Sequence, residues 1–168
     1  MAAGMARIVH PWEPVFDEHS KILILGTIPS PRSREAGFYY GHPQNCFWRA
    51  LAGVLGRPEP ASDAASKVAF LLQGGIALWD VLRACDIDGA SDSSIRNPEP
   101  NLFRPLIGKT AIASIFATGR KATELFNALC RDEAGMEAIY LPSTSPANRA
   151  AQARPDFMEQ WMALRRFL

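Results

Sequence analysis

Four short apolar runs, Ile22–Leu25, Ile76–Trp79, Ser114–Ala117 and Ala138–Leu141, alternate along the chain with segments of helical spacing. A run of four apolar residues is too short for a helix and reads as a strand buried on both faces. Phe47–Leu55, Asp63–Gln73, Asn101–Ile107, Lys121–Cys130 and Asp156–Phe167 are the expected helices. Gly56 with Pro58 stops the first, and Gly74-Gly75 stops the second. The alternation predicts a three-layer α/β/α sandwich around a mainly parallel four-stranded sheet. It is expected to form a single domain over residues 1–168, with 1–7 a flexible terminus. Val9–Phe16, with two prolines and two aromatic rings, is expected to pack on the domain edge. Val81–Cys85 reads as one helical turn. Asp86–Pro100 is dense in Asp, Ser, Asn, Gly and Pro and reads as a long loop.

A parallel sheet brings the carboxyl ends of its strands to one edge, where open α/β sheets bind their ligands. Four segments converge there: the stretch after Leu25, Asp80 with the loop beyond it, Thr118-Gly119, and Pro142–Arg149. The first is a connection of roughly 20 residues, where 2–6 is usual, and such loops are functional or disordered. Its Tyr39, Tyr40, His42, Gln44 and Asn45 argue against disorder.

Composition narrows the function classes. With 48% hydrophobic and 21% charged residues, 168 residues can bury a sizeable core without staples. A net charge of +1 excludes a general polyanion binder, so nucleic-acid contact must come from local arginines. Cys46, Cys85 and Cys130 stand far apart, which argues against a zinc or iron–sulfur site and against a disulfide framework. No apolar leader and no run of membrane-spanning length is present, so a cytoplasmic protein, associated with the nucleoid if it acts on DNA, is expected.

The strand-end motifs together resemble the uracil-DNA glycosylase superfamily, and within it the hypoxanthine-DNA (deoxyinosine) glycosylase branch. The residues that carry the resemblance are Leu25–Ser30 (L-G-T-I-P-S), Gly37–Trp48 (G-F-Y-Y-G-H-P-Q-N-C-F-W), Ala77–Leu82 (A-L-W-D-V-L) and Leu141–Asn148 (L-P-S-T-S-P-A-N). The second stretch is long and specific; the first and last would be weak alone. The resemblance implies a monofunctional DNA repair enzyme that flips a deaminated base and hydrolyses its N-glycosidic bond. It implies a monomer with no metal, no cofactor and no membrane contact.

Such a reaction needs an oriented water, stabilisation of charge on the departing base, and a surface that receives the flipped base. The resemblance places the catalytic work on Asn45, His42 and Ser143. Ile28 stands where better-known branches carry a water-positioning Asp or Asn, so Asn45 takes the water-orienting role; the alternative is a cap on the helix starting near Phe47. His42 either polarises the water or contacts a phosphate, unless it is simply solvated. Ser143 stands where a stronger His donor is usual.

Gly26, Thr27, Ile28 and Ser30 are expected against base and sugar, with Gly26 there for close approach or a positive φ. Of Phe38, Tyr39 and Tyr40, alternation would point Tyr39 opposite to the other two, and one ring is expected to stack on the base. Asp80 replaces a base-reading Asn and can only accept unless protonated, which suits a ring N–H; its alternative is a helix N-cap. Ser145 would bind substrate. Pro146, Ala147, Asn148 and Arg149 would press into the duplex, and Arg32 and Arg34 would track phosphates. Two rival readings are a damaged-base sensor on the same fold and an unrelated α/β hydrolase; the absence of a G-x-S-x-G elbow speaks against the latter.

Overall fold

The centre of the molecule is the strand β2, Ile22–Gly26, buried over its whole length. A computed structural model describes residues 4–168. Strand β1, Ala6–Val9, precedes β2. Strand β3 is Ile76–Asp80. Two antiparallel strands follow, β4 (Leu82–Asp88) and β5 (Ser91–Pro100), then β6 (Ser114–Thr118) and β7 (Ala138–Leu141). β3, β2, β6 and β7 form a four-stranded sheet in that order, parallel at every pairing, with Ile24 between Leu78 and Phe116. This is the sheet the four apolar runs predict.

Successive side chains of a strand point to opposite faces, and the core divides accordingly. On one face Ile22, Ile24, Leu78 and Phe116 pack against three helices: α2 (Phe47–Leu55), α3 (Ala64–Gln73) and α8 (Pro155–Met162). On the other, Leu23, Leu25, Ala77 and Ile115 meet α4 (Arg104–Gly108), α5 (Arg120–Leu129) and α6 (Arg131–Ala134). The remaining helices, α1 (Pro31–Ala36) and α7 (Arg149–Gln152), are short and lie in the sheet-edge loops. Full burial of one Leu, Ile or Phe contributes about 1.5–3 kcal/mol, so the two faces supply most of the driving force. Asp63 caps α3, accepting from the Ser66 backbone N–H at 2.8 Å.

Three expectations are corrected. Val81–Cys85 is not a helical turn, and 86–100 is not a loop. β4 and β5 form a hairpin, and β1 adds to β4 to make a second, antiparallel sheet of order β1-β4-β5 over the second face. The turn residues that suggested a loop lie on its solvent face and at its register shifts, while Ile87 and Ile95 anchor it inward. The helix expected over Asn101–Ile107 begins only at Arg104, where the Glu133 carboxylate accepts from the Phe103 and Arg104 backbone N–H groups at 2.8 and 2.9 Å. Of the terminus expected to be flexible, residues 1–3 lie outside the described residues, whereas Ala6 and Arg7 are in β1.

Candidate active site

The four strand-end segments meet around a cavity of about 420 Å³. Its floor is Gly26 and Thr27 at the end of β2, Asp80 at the end of β3, and Thr118 at the end of β6. The Ser143–Pro146 loop after β7 closes one side, and Tyr39, Tyr40, His42 and Asn45 of the long first loop close another. Ala90 and Asp92, from the tip of the unexpected hairpin, complete the rim.

Gly26 is needed for close approach. A methyl group on its Cα would lie 2.5 Å from Asp80 Oδ1 and 3.0 Å from Tyr40 Oη. Its backbone is ordinary extended strand, so the positive-φ alternative falls away. Thr27 Oγ1 donates to Asp92 Oδ2 at 3.2 Å, fastening the hairpin tip to the floor. Asp92 is exposed as a residue, yet desolvation of its carboxyl raises its pKa, and the Asp80 charge adds to this; the Thr27 hydrogen bond and Lys121 oppose it. Ser30 lines the cavity, but its hydroxyl caps α1 by accepting from the Ser33 N–H at 3.2 Å. Ile28 contributes apolar wall.

The aromatic run does not alternate. Tyr39 and Tyr40 both line the cavity, while Phe38 leaves it and packs on Trp48 at a centroid distance of 6.1 Å. The reason is local: Gly37 and Tyr40 both have positive φ, so the segment turns and is not extended. Phe38 is therefore withdrawn from the cavity residues. Tyr40 lies flat on Phe47, 3.9 Å between centroids and 10° between planes, with its hydroxyl 3.4 Å from Thr118 Oγ1. Tyr39 donates to the Glu13 carbonyl at 3.2 Å. Burial, and then the Asp80 charge, push both phenol pKa values up, so both stay protonated donors.

Asn45 lines the cavity, and its Oδ1 accepts from the Phe47 N–H at 3.0 Å. Asn45 is not the N-cap of α2, which is Cys46, but holds the first helical N–H from just outside it, and the side chain's Nδ2 remains as a donor. His42 Nδ1 accepts from the Gln44 N–H at 3.0 Å, which puts a neutral ring's proton on Nε2. Ser143 Oγ accepts from the Ser145 N–H at 3.2 Å.

Asn148 is turned inward, its Nδ2 donating to the Ser143 carbonyl at 2.9 Å, so its side chain staples the loop and does not project from it. Gln152 reinforces the staple at the Ser145 carbonyl, 2.7 Å. Ser145 Oγ accepts from the Ala147 N–H. Pro146 and Arg32 line the cavity. Ala147 and Arg149 are exposed beside it, and Arg34 is half-buried away from it.

Asp80 does not cap a helix, since none follows it. Its Oδ2 is 2.7 Å from His10 Nε2, and the two side chains are 5% and 3% exposed. Asn101 Nδ2 holds the Asp80 carbonyl at 2.9 Å. Thr118 lies in a segment the sequence brought to this edge, whereas His10, Asn101, Asp92 and Thr144 were not singled out by sequence reasoning. His10 precedes the first strand of the parallel sheet by a dozen residues and comes in on β1, which no local signal marks. Thr144 is 1% exposed, with an Oγ1 that has no partner among the described residues. Its place inside S-T-S-P was the one available signal. Among the described residues no cluster of His, Cys, Asp or Glu could hold a metal. No described helix is long and apolar enough to cross a membrane.

The site is thus a floor of three parallel strand ends, an aromatic platform backed by the helix that follows, and a serine-rich loop after the fourth strand opposite it. Comparison with known proteins gives the family. Residues 13–165 match the family model described as the uracil DNA glycosylase superfamily. A hypoxanthine DNA glycosylase of Methanosarcina barkeri is 35% identical over 137 residues, covering 81% of this chain and 85% of the relative. A protein of the same name from Methanosarcina acetivorans is 38% identical over 138 residues, 80% and 85% of the two chains. A solution NMR structure of a Methanosarcina acetivorans chain, whose name places it with the uracil DNA glycosylases, superposes with a TM-score of 0.77. It is 35% identical, and the match covers 94% of this chain and 97% of that one. The chain belongs to the uracil DNA glycosylase superfamily and is a DNA glycosylase of that class.

Proposed function

We propose that this glycosylase excises hypoxanthine from DNA by hydrolysing the glycosidic bond of deoxyinosine, with uracil and xanthine as lesser substrates. One observation carries the choice of a deaminated base over an undamaged amino base: the reader at the end of β3 is a carboxylate whose outer oxygen stands at the cavity floor beside Gly26. A carboxylate accepts and does not donate, so it matches the ring N–H of a deaminated base. The names of the two Methanosarcina relatives support hypoxanthine among such bases.

In this reading the base leaves the stack and enters the 420 Å³ cavity against Tyr40, which Phe47 backs. The Asn45 Nδ2 donates to one lone pair of the attacking water and leaves the other free to bond C1′. The His42 Nε2–H contacts the flanking phosphate. As the C1′–N bond breaks, the proton the water loses ends on the departing base anion. Ser143 Oγ and the Ser145 region offer hydrogen bonds to the departing base, whose developing charge is the main barrier. Pro146, Ala147 and Arg149 bear on the duplex where the base has left, and Arg32 meets a phosphate. The enzyme acts as a monomer, without metal, on nucleoid DNA in the cytoplasm.

The test is single-turnover cleavage of duplexes carrying one hypoxanthine, uracil or xanthine, with alkali to cut abasic sites. Fastest cutting at hypoxanthine is expected. Cutting at uracil alone would reject the proposed base. Tight lesion binding without cutting would favour the sensor that Ile28 and Ser143, in place of stronger catalytic groups, keep in view.

A further inference from the structure

The strongest unassigned feature is the His10–Asp80 pair. It is 2.7 Å long and closed off from solvent, with His10 walled by Trp12 and Tyr39 at ring-centroid distances of 5.9 and 5.8 Å. His10 is brought there by the antiparallel sheet: β1 pairs with β4, and the His10 N–H donates to the Arg83 carbonyl at 2.8 Å. The Trp12 backbone N–H donates to His10 Nδ1 at 3.2 Å. A neutral imidazole has one N–H, and with Nδ1 accepting, that proton sits on Nε2 and is donated to Asp80 Oδ2. The ring is thus fixed in one tautomer by the backbone and fixes one carboxylate oxygen in turn. The second oxygen, Oδ1, has no hydrogen-bond partner among the described residues and faces the cavity floor beside Gly26.

Deamination changes one ring nitrogen in the same way in both base classes. N1 of adenine and N3 of cytosine are acceptors; N1 of hypoxanthine and N3 of uracil carry hydrogen. We propose that His10 is a positioning residue that holds Asp80 as an acceptor-only probe, so that Oδ1 detects the ring N–H that deamination creates and turns away the lone pair of the undamaged amino base. Without the His10 donor, the buried carboxylate loses the one side-chain partner it has among the described residues, and nothing then holds Oδ1 toward the ring N–H that marks a lesion. The specificity of the site therefore depends on a histidine in the lead-in segment, outside every strand-end motif. This inference rests on the chain being a glycosylase of deaminated bases.

The experiment is single-turnover excision by wild type, His10→Leu, His10→Gln, Asp80→Asn and the Leu/Asn double variant, with thermal melting to verify folding. Substrates are matched duplexes holding hypoxanthine or adenine, and uracil or cytosine, at one position. His10→Leu is expected to slow hypoxanthine excision about thirtyfold and to lower the hypoxanthine-to-adenine ratio, as loss of a charged hydrogen bond does. His10→Gln, whose amide reaches the Nε2 position, should stay within about threefold of wild type, and the double variant within about twofold of Asp80→Asn, because the two residues act as one unit. A purely structural His10 would give losses that multiply and no glutamine rescue. That result, or wild-type rate and selectivity in His10→Leu, overturns the proposal. If the leucine variant does not fold, His10→Asn, too short to reach Asp80, takes its place. Wild type that cuts only uracil rejects the hypoxanthine reading alone, and the coupling is then read on uracil against cytosine. Wild type that cuts neither lesion rejects the glycosylase reading and this inference with it.

Discussion

The two sheets of this molecule do different work. The parallel sheet β3-β2-β6-β7 is buried on both faces except along its edge strand β7, and its job is to bring strand ends together. The antiparallel sheet β1-β4-β5 lies over one of those faces, exposes much of its outer side, and is irregular in register. Yet it delivers His10 to Asp80 and Asp92 to Thr27. Packing strength and chemical contribution are thus separated: the well-packed sheet sets where the cavity is, and the looser one adjusts the groups that face it.

The largest effect that would sharpen this contrast is on stability. Leu23→Ala removes a fully buried side chain of the central strand and should cost about 2–5 kcal/mol in denaturant unfolding. Ser93→Ala, on the exposed hairpin, should stay within about 0.5 kcal/mol. Equal losses would show that the hairpin is part of the folding core.

Next in size is Asn45. Asn45→Ala should slow excision at least about tenfold, or about 1.4 kcal/mol, while the fold survives. Asn45→Asp keeps an oxygen for the Phe47 N–H and removes the Nδ2 donor. It should be as slow as the alanine variant if the amide holds the water, and near wild type if holding the Phe47 N–H is all it does.

The smallest effect is at Asp92. A carboxyl whose folded pKa is raised binds its proton more tightly when folded, so stability falls as pH rises from the ordinary carboxylate value through the raised one. Asp92→Asn lacks this penalty. It should melt slightly higher than wild type at neutral pH, with the advantage vanishing as pH drops below the ordinary carboxylate range. A variant that melts lower at pH 7 would show that the Thr27 bond outweighs desolvation.

The same division explains what could be read from the chain beforehand. Residues 22–25, 76–79 and 114–117 are nearly continuous apolar runs because both faces are buried, and 138–141 is an edge strand with Ile139 and Tyr140 exposed. The spacing of the four gave the parallel sheet and its ligand edge. Gly26, Asp80 and Ser143 fall within a few residues of those strand ends, and Tyr40 and Asn45 lie in the unusually long connection that leaves the first of them, so the cavity could be outlined. β4 and β5 bury one face at only a few positions, and residues such as Asp86, Ser91, Ser93 and Asn97 spell a loop. Without that sheet, neither His10 nor Asp92 could be placed. Phe38 was misassigned because the left-handed turn at Tyr40 cancels the alternation rule. Asn148 looked like a reader of DNA because its inward bond to Ser143 depends on the three-dimensional path of the loop.

The most direct test of the central claim is to identify the product. Wild-type protein would be incubated in excess with a duplex containing one hypoxanthine, and the released small molecule and the remaining strand would be weighed by mass spectrometry. Free hypoxanthine together with an intact abasic strand, and nothing released from the matched adenine duplex, is the predicted result. A strand that keeps its hypoxanthine, or one cut at the phosphodiester with the base still attached, would contradict it.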